Sequence, residues 1–263
     1  MGIVAFVTNR KSSNLVALAS SAIGLEYNLK VLVMHRDPHR RTERALIGRR
    51  TLVAEEAVMN TGTGDGLREL ARQTLSRKLT PESVRDNSRY AIKGYLDVLP
   101  YTADMQIDAP TFMAVANVAS KLYDFVFIDA QNCPPRDVGE IVKVSDSVIA
   151  VLNQDMYMVE DYMKANLPAM NESIVVLEDY HPDSKYTAGK IGRYLKLSRT
   201  PLVAPHSVQF IDAVNDGEAV NFMRRSKNAW RGHPNAVFAK SCSKLAVELI
   251  RLLGLNAEAL RKV

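Results

Sequence analysis

The chain has 263 residues, of which 47% are hydrophobic and 24% are charged. That length and balance predict a soluble α/β protein, and the lack of a Pro/Gly/Ser-rich or low-complexity linker favours a single domain over residues 1–263. The basic excess, 34 Lys and Arg against 29 Asp and Glu, is compatible with contact to nucleic acid or anionic lipid without requiring either.

Membrane-spanning, secreted and zinc-binding classes are not indicated. No apolar run reaches the roughly 18 residues needed to cross a bilayer, and the N-terminus lacks a basic region followed by a cleavable apolar stretch. Cys133 and Cys242 lie far apart without CxxC spacing or a nearby His pair, which argues against a disulfide framework or a zinc site. We therefore expect a protein of the reducing cytoplasm.

Apolar segments alternate with helical patterns along the chain, which is the β-α-β order of a parallel sheet. Strands are predicted at residues 3–7, 30–34, 95–99, 125–128, 147–152, 173–177 and 201–204, and helices at residues 15–26, 66–77, 109–121, 159–169, 188–195, 213–217 and 240–253. The runs VLVM and FVFI are continuously apolar, so their strands should be buried on both faces at the centre of the sheet. We expect a doubly wound, mostly parallel sheet of seven or eight strands with helices on both faces, in which residues 3–7 and 125–128 are neighbours.

Ligands of such sheets bind beyond the carboxyl ends of the strands, which directs attention to the first predicted loop. Residues 6–24, FVTNRKSSNLVALASSAIG, have the strand, loop, helix order in which nucleotide-binding proteins hold a phosphate. However, a phosphate loop needs glycines, so that successive N–H groups converge, and a lysine that reaches the phosphate oxygens. No glycine lies between Gly2 and Gly24.

Later segments place further polar residues after strands, and together they carry a family resemblance. They read VLVMHRDP (31–38), YDFVFIDAQNCPP (123–135), SDSVIAVLNQDMYMVED (145–161) and TPLVAPHSVQFIDAVNDGEAV (200–220). In this order the chain resembles the ParA/MinD family of deviant P-loop ATPases over nearly its whole length. In that family the first strand leads into Lys-Gly-Gly-x-Gly-Lys-Thr-Thr, the second ends in Asp-x-Asp-Pro, and a later strand ends in Asp followed by Thr/Cys-Pro-Pro. The resemblance implies a vestigial nucleotide site at Arg10, Lys11, Ser12, Ser13, Asn14, Asp37, Asp129, Pro205 and His206.

The departures from the family pattern affect the expected chemistry. An ungapped match puts Arg10 on the signature lysine, Lys11, Ser12 and Asn14 on the glycines, Leu15 on the phosphate-contacting lysine and Val16 on the magnesium threonine. Leucine cannot neutralise phosphate, and valine offers no oxygen to Mg²⁺. His35 stands where the family has the aspartate expected to orient water. We therefore predict no catalytic residues, no metal site and no ordinary ATP hydrolysis, and these departures argue against binding of ATP or Mg²⁺.

Two functions follow from the resemblance. The first is a non-hydrolysing or very weakly hydrolysing localisation scaffold like the proteins of the TadZ/CpaE pilus-assembly group. Residues 67–102 also resemble the linker and strand of that group. It implies a homodimer, pilus or secretion partners, and a place at a cell pole or the membrane surface. The second is an active partition or positioning ATPase that binds DNA nonspecifically through the basic segments at residues 35–50 and 224–231.

Structural roles are the alternatives for several of these residues. Asp129 and Asp37 are also suited to capping turns, and His35 with His39, although spaced i, i+4, lies in an arginine-rich segment unsuited to a metal. The C-terminal leucine pattern has the spacing of a membrane-surface helix, but its polar face carries both charge signs, so a helix docked on the sheet is expected. The cluster at Met156, Tyr157, Met158 and Met163 fits a partner surface or core packing.

Overall fold

The computed structural model describes residues 2–8, 13–48, 66–101, 107–164 and 173–262. Its centre is an eight-stranded sheet with the order β3-β4-β2-β5-β1-β6-β7-β8. The strands are β1 Gly2–Thr8, β2 Val31–His35, β3 Arg89–Ile92, β4 Leu96–Val98, β5 Phe125–Asp129, β6 Ser147–Leu152, β7 Ile174–Tyr180 and β8 Leu202–Pro205. All neighbouring pairs are parallel except β3 with β4.

Helices cover both faces of this sheet. They are α1 Leu15–Glu26, α2 Arg41–Ile47, α3 Leu67–Leu75, α4 Pro81–Asp86, α5 Ala109–Ala119, α6 Pro135–Val144, α7 Met156–Lys164, α8 Ala188–Tyr194, α9 Val208–Asp216, α10 Ala219–Lys227, α11 Pro234–Leu252 and α12 Ala257–Leu260. None of the described helices is long and apolar enough to cross a membrane. The doubly wound, mostly parallel fold predicted from the sequence is confirmed.

The middle of the sheet is buried on both faces, as the continuous apolar runs predict. Every residue of β2 and β5 is buried, and β5 pairs with β1 as well as with β2. Because side chains alternate across a strand, Val4 and Phe6 pack under α1 and α11, whereas Ile3, Ala5 and Val7 pack against α3 to α6 on the other face. The two faces therefore have separate hydrophobic cores.

Helix α1 is buried along nearly all of its length. Of its residues only Leu25 is partly exposed, because the sequence LVALASSAIGLE presents apolar or small side chains in every direction. It packs between the sheet and α11, whose apolar residues Leu245 and Leu249 are buried. The C-terminal leucines thus belong to a helix docked on the protein, as expected.

Several predicted boundaries were wrong for identifiable reasons. Helix α11 begins at Pro234 and not at residue 240, and α6, which begins at Pro135, was not predicted. Both helices start at a proline, which is well accommodated in the first turn of a helix. Residues 41–47 form α2, although their charges suggested a loop. Strand β3 was also missed, because it pairs antiparallel with β4 at the edge and not in β-α-β order. Part of the helix predicted at residues 159–169 lies outside the described residues.

Candidate functional site

The carboxyl ends of the central strands bring several predicted residues to one edge of the sheet. Parallel register places Asp129, the last residue of β5, beside Phe6 of β1 and His35 of β2. Ser13 and Asn14 follow β1 at the start of α1. The predicted residues Arg10, Lys11 and Ser12 lie outside the described residues.

The start of α1 is bonded to buried side chains of other strands and loops. The Asn14 N–H donates to Glu178 Oε1 at 2.6 Å, and the Ser13 N–H donates to Gln131 Oε1 at 2.7 Å. Glu178, on β7, is only 5% exposed, and Gln131, after β5, is 2% exposed. The first N–H groups of a helix carry partial positive charge and lack intrahelical partners, which is why anions bind there. Here a carboxylate of the protein itself occupies that position.

The next residues of α1 supply no polar side chain to this position. Leu15 and Val16 are buried in the core against the sheet. The Leu15 N–H bonds to Ser13 Oγ at 3.2 Å, so the first turn is partly satisfied by its own chain. The beginning of α1 is therefore a packed structural element.

Asp129 is buried and fully engaged at the end of β5. Thr42 Oγ1, on α2, donates to Asp129 Oδ2 at 2.5 Å, and the Gln131 N–H donates to Oδ1 at 3.0 Å. Burial has the largest effect on the pKa of the Asp129 carboxyl and raises it, and the nearby Asp37 raises it further. The two hydrogen bonds and nearby His35 lower this pKa, but the net shift is upward. Asp129 thus links β5 to α2.

Asp37 has the turn role that the sequence left open. Its Oδ1 accepts the His39 N–H at 3.1 Å and its Oδ2 accepts the Arg41 N–H at 3.2 Å, at the point where α2 begins. Asn132 Nδ2 also donates to Oδ1, at 3.3 Å. With 2% exposure, Asp37 is a buried cap that ties α2 to the loop after β5.

His35 belongs to a buried ionic cluster. Its Nε2 lies 3.1 Å from Glu43 Oε2, and Arg40 Nε donates to the same carboxyl oxygen at 2.9 Å. Burial raises the pKa of the Glu43 carboxyl, but the hydrogen bonds from His35 and Arg40 outweigh it, and the net shift is downward. Among the described residues there is no group of three His, Cys, Asp or Glu side chains that would hold a metal ion.

A second cluster lies where β7 and β8 end, at the predicted residues Pro205 and His206. Pro205 pairs with Tyr180, and His206 Nδ1 lies 3.6 Å from Asp179 Oδ1. The His206 ring stacks near that of His181, with centroids 4.5 Å apart. Because Asp179 directly follows Glu178, these residues are close in sequence to the carboxylate that meets α1.

A cleft of about 880 Å³ opens beside the ends of β2 and β5. Its lining mixes charges: Arg36 Nη1 bonds to Asp137 Oδ2 at 2.6 Å, and Arg136, Asp108 and Glu140 also line it. With Arg40 held by Glu43, two arginines of the first basic segment are paired within the chain. In the second basic segment Arg224, Arg225, Lys227 and Arg231 are exposed.

No protein-family model matches the sequence, and no curated protein matches it. Solved structures do match. A ParA family ATPase from Chlorobium tepidum TLS superposes with a TM-score of 0.72 at 13% identity, over 94% of this chain and 98% of that chain. The chain has the ParA/MinD fold.

Two MinD proteins match this fold over a similar length. The cell division ATPase MinD of Pyrococcus furiosus gives a TM-score of 0.65 at 17% identity, covering 96% of this chain and 100% of that chain. The MinD cell division protein of Aquifex aeolicus gives 0.65 at 16% identity, covering 95% and 98%. The architectural part of the predicted resemblance is confirmed.

Sequence reasoning missed two residues that bond the start of α1. Gln131 and Glu178 bond the start of α1 from sequence distances of 118 and 164 residues. Gln131 lies in the segment YDFVFIDAQNCPP, so its position after a central strand was an available signal. Glu178 ends the apolar run IVVL, where it reads as the polar end of a strand.

Proposed function

We propose that this chain is a single ParA/MinD-fold domain that acts through location and partner binding and does not turn over nucleotide. The observation that carries the proposal is the bond from the Asn14 N–H to the buried Glu178 carboxylate at 2.6 Å. A phosphate bound at the start of α1 would need that N–H and would meet a negative charge already in place. Two like charges 4 Å apart repel by about 4 kcal/mol at the effective dielectric constant of a protein surface.

The residues that follow strengthen this argument. Lysine neutralises phosphate charge and a hydroxyl oxygen holds Mg²⁺ in phosphoryl transfer, and buried Leu15 and Val16 do neither. The Asp129 carboxylate accepts hydrogen bonds from Thr42 and Gln131, and His35 Nε2 pairs with Glu43. These contacts support the proposal that the described positions Asp129 and His35 serve the fold.

Solved structures of similar fold contain a bound nucleotide or a partner protein. One MinD structure is complexed with Mg-ADP, and a Borrelia burgdorferi plasmid partition protein is bound to AMPPNP. Another structure is a MinC:MinD complex. We propose that this chain keeps the protein-binding part of that behaviour as a homodimer, with a pilus or secretion machine of the TadZ/CpaE type as its partner at a cell pole or the membrane surface.

The second candidate function is a partition ATPase that binds DNA. The exposed arginines and lysine of residues 224–227 favour it, together with the fold neighbour pNOB8 ParA, which is bound to nonspecific DNA. It requires that nucleotide displace Glu178 from the start of α1.

Nucleotide binding and hydrolysis separate the two candidates. Purified protein is mixed with labelled ATP, with and without Mg²⁺, and phosphate release is followed beside an Asp129→Ala variant whose folding is checked by circular dichroism. We expect release at the buffer rate in both proteins, because the groups that stabilise the transition state are missing. Robust hydrolysis that disappears in folded Asp129→Ala would overturn the scaffold proposal in favour of the ATPase.

A further inference from the structure

One stretch of the sequence is basic and contains no acidic residue. Residues 219–247 contain six Lys and Arg and no Asp or Glu, and all six side chains are exposed: Arg224, Arg225, Lys227, Arg231, Lys240 and Lys244. They lie on α10, on the loop after it and on the first half of α11. Lys227 is the one of these six with a described ion-pair partner, since its Nζ lies 3.6 Å from Glu26 Oε1.

An exposed tryptophan lies in the middle of this stretch. Trp230 is 70% exposed, and Val237, in the first turns of α11, is 57% exposed. We name the exposed side chains of Arg224, Arg225, Trp230, Arg231, Val237 and Lys240 the Trp230 surface. Leaving an indole ring in water forgoes the burial that makes tryptophan a major contributor to cores and interfaces. The Trp230 surface therefore combines positive charge with unburied apolar area.

The loop holds the Trp230 ring outward. The ring meets His233 edge-on, with centroids 5.6 Å apart and planes at 81°. Gly232 lies close to it at a φ of +97°, and a Cβ there would be 3.3 Å from the ring. The indole is thus supported by its own loop and does not fold back into the core.

We propose that the Trp230 surface binds an anionic lipid membrane. Tryptophan is enriched where membrane meets water, and basic side chains are attracted to anionic headgroups. Nucleic acid would pair with the cations, but a lipid surface would also bury the exposed apolar groups Trp230 and Val237, which belong to the same segment. The proposal rests on the membrane-surface location named in the proposed function and assigns the residues that would make the contact, and it does not depend on whether nucleotide binds.

The test uses Trp230 as its own probe, because it is the only tryptophan of the chain. The full chain is titrated with phosphatidylcholine vesicles that contain phosphatidylglycerol, and with vesicles of phosphatidylcholine alone. We expect a blue shift of the tryptophan emission and co-sedimentation with the anionic vesicles only. Raising the salt to about 1 M, where the Debye length is about 3 Å, should reverse the binding.

Substitutions distinguish vesicle binding by the Trp230 surface from attraction due to the net charge of the whole chain. Arg225→Glu/Arg231→Glu is expected to lower the vesicle partition coefficient by at least about tenfold, since each basic residue near an anionic surface contributes about fivefold. Trp230→Ala should also lower sedimentation. Matched controls are Lys93→Glu/Lys121→Glu, with the same charge change at other exposed sites, and Tyr157→Ala, which removes another exposed aromatic ring.

The outcomes are distinct. Loss of binding in the Trp230-surface variants with both controls unchanged supports the proposal. No emission shift with anionic vesicles overturns it, and so does an equal loss in the charge control. A shift caused by duplex DNA and not by vesicles, abolished by Arg225→Glu/Arg231→Glu, would assign the surface to nucleic acid.

Discussion

Replacing Glu178 by alanine is expected to destabilise the protein, because it removes the anion at the start of α1. The carboxylate is buried and accepts the Asn14 N–H at 2.6 Å. A hydrogen bond to a charged group contributes roughly 1.5–3 kcal/mol, and a charge at a helix terminus contributes up to about 2 kcal/mol in partly buried geometry. These two values describe one contact and are not added.

The desolvation of the buried carboxylate opposes this gain, so we expect a net loss of about 2 kcal/mol for Glu178→Ala. At roughly 2–4 °C per kcal/mol for a chain of this size, the Tm should fall by about 4–8 °C. Glu178→Gln keeps an acceptor but loses the charge, and it should cost about half as much. Glu140→Ala is the control, since Glu140 is exposed and its ion pair with Lys143 is a surface contact.

Urea and thermal unfolding followed by far-UV circular dichroism measure these differences. A second arm adds inorganic phosphate, which should fill the vacated position: at ten times its Kd it would stabilise Glu178→Ala by about 1.4 kcal/mol. The unmutated protein should gain less. An unchanged midpoint in Glu178→Ala, or equal stabilisation of both proteins by phosphate, would refute the idea that the carboxylate holds this helix start.

Two further predictions concern the carboxylates and the assembly. Asp129→Asn should raise stability at neutral pH, because burial disfavours the ionised carboxylate and raises the pKa of Asp129 above its ordinary value of 3.8. Protonation of Asp129 in the unmutated protein favours folding, so the difference in stability between Asp129→Asn and the unmutated protein should vanish at pH values below that ordinary pKa. A variant that stays more stable in acid would contradict this reasoning. The nucleotide-free protein is also expected to be a homodimer by light scattering, weakened in Arg10→Glu. Arg10 or Lys11 is predicted to pair with an acid of its own or the other subunit. The nearest carboxylates of the predicted site, Asp37 and Asp129, are buried and bonded within their own chain. A monomer, or a dimer unaffected by Arg10→Glu, would leave the assembly proposal without support.

The sequence was sufficient for the parts of the fold that follow local pattern. Helix α1 was predicted at its observed bounds, because its apolar run is bounded by the polar segment before Leu15 and the strand that follows. The central position of β2 and β5 followed from their continuous apolar residues. Helix α2 was missed because its buried Thr42 and Glu43 are polar, and their burial depends on partners distant in sequence or in the turn before the helix.

The candidate site was less predictable, because its bonds join distant segments. The order of the motifs indicated which strand ends meet, and Asp37, Asp129 and Asn14 do lie at one edge of the sheet. Nothing in the local sequence shows that Glu178 bonds to Asn14, 164 residues away, or that Glu43 pairs with His35 at the end of β2. Such pairings depend on the sheet order and on side-chain packing, which residue patterns do not specify.

The anion at the start of α1 belongs to the chain itself. A phosphate that binds at a helix start arrives and leaves with its own rate constants, so its occupancy follows its concentration. Glu178 has no such concentration, since every folded molecule carries it in place. Under the proposed function, the start of α1 is then coupled to folding and not to the supply of nucleotide. On the same proposal, changes in the location of this protein are therefore timed by the partner that it meets.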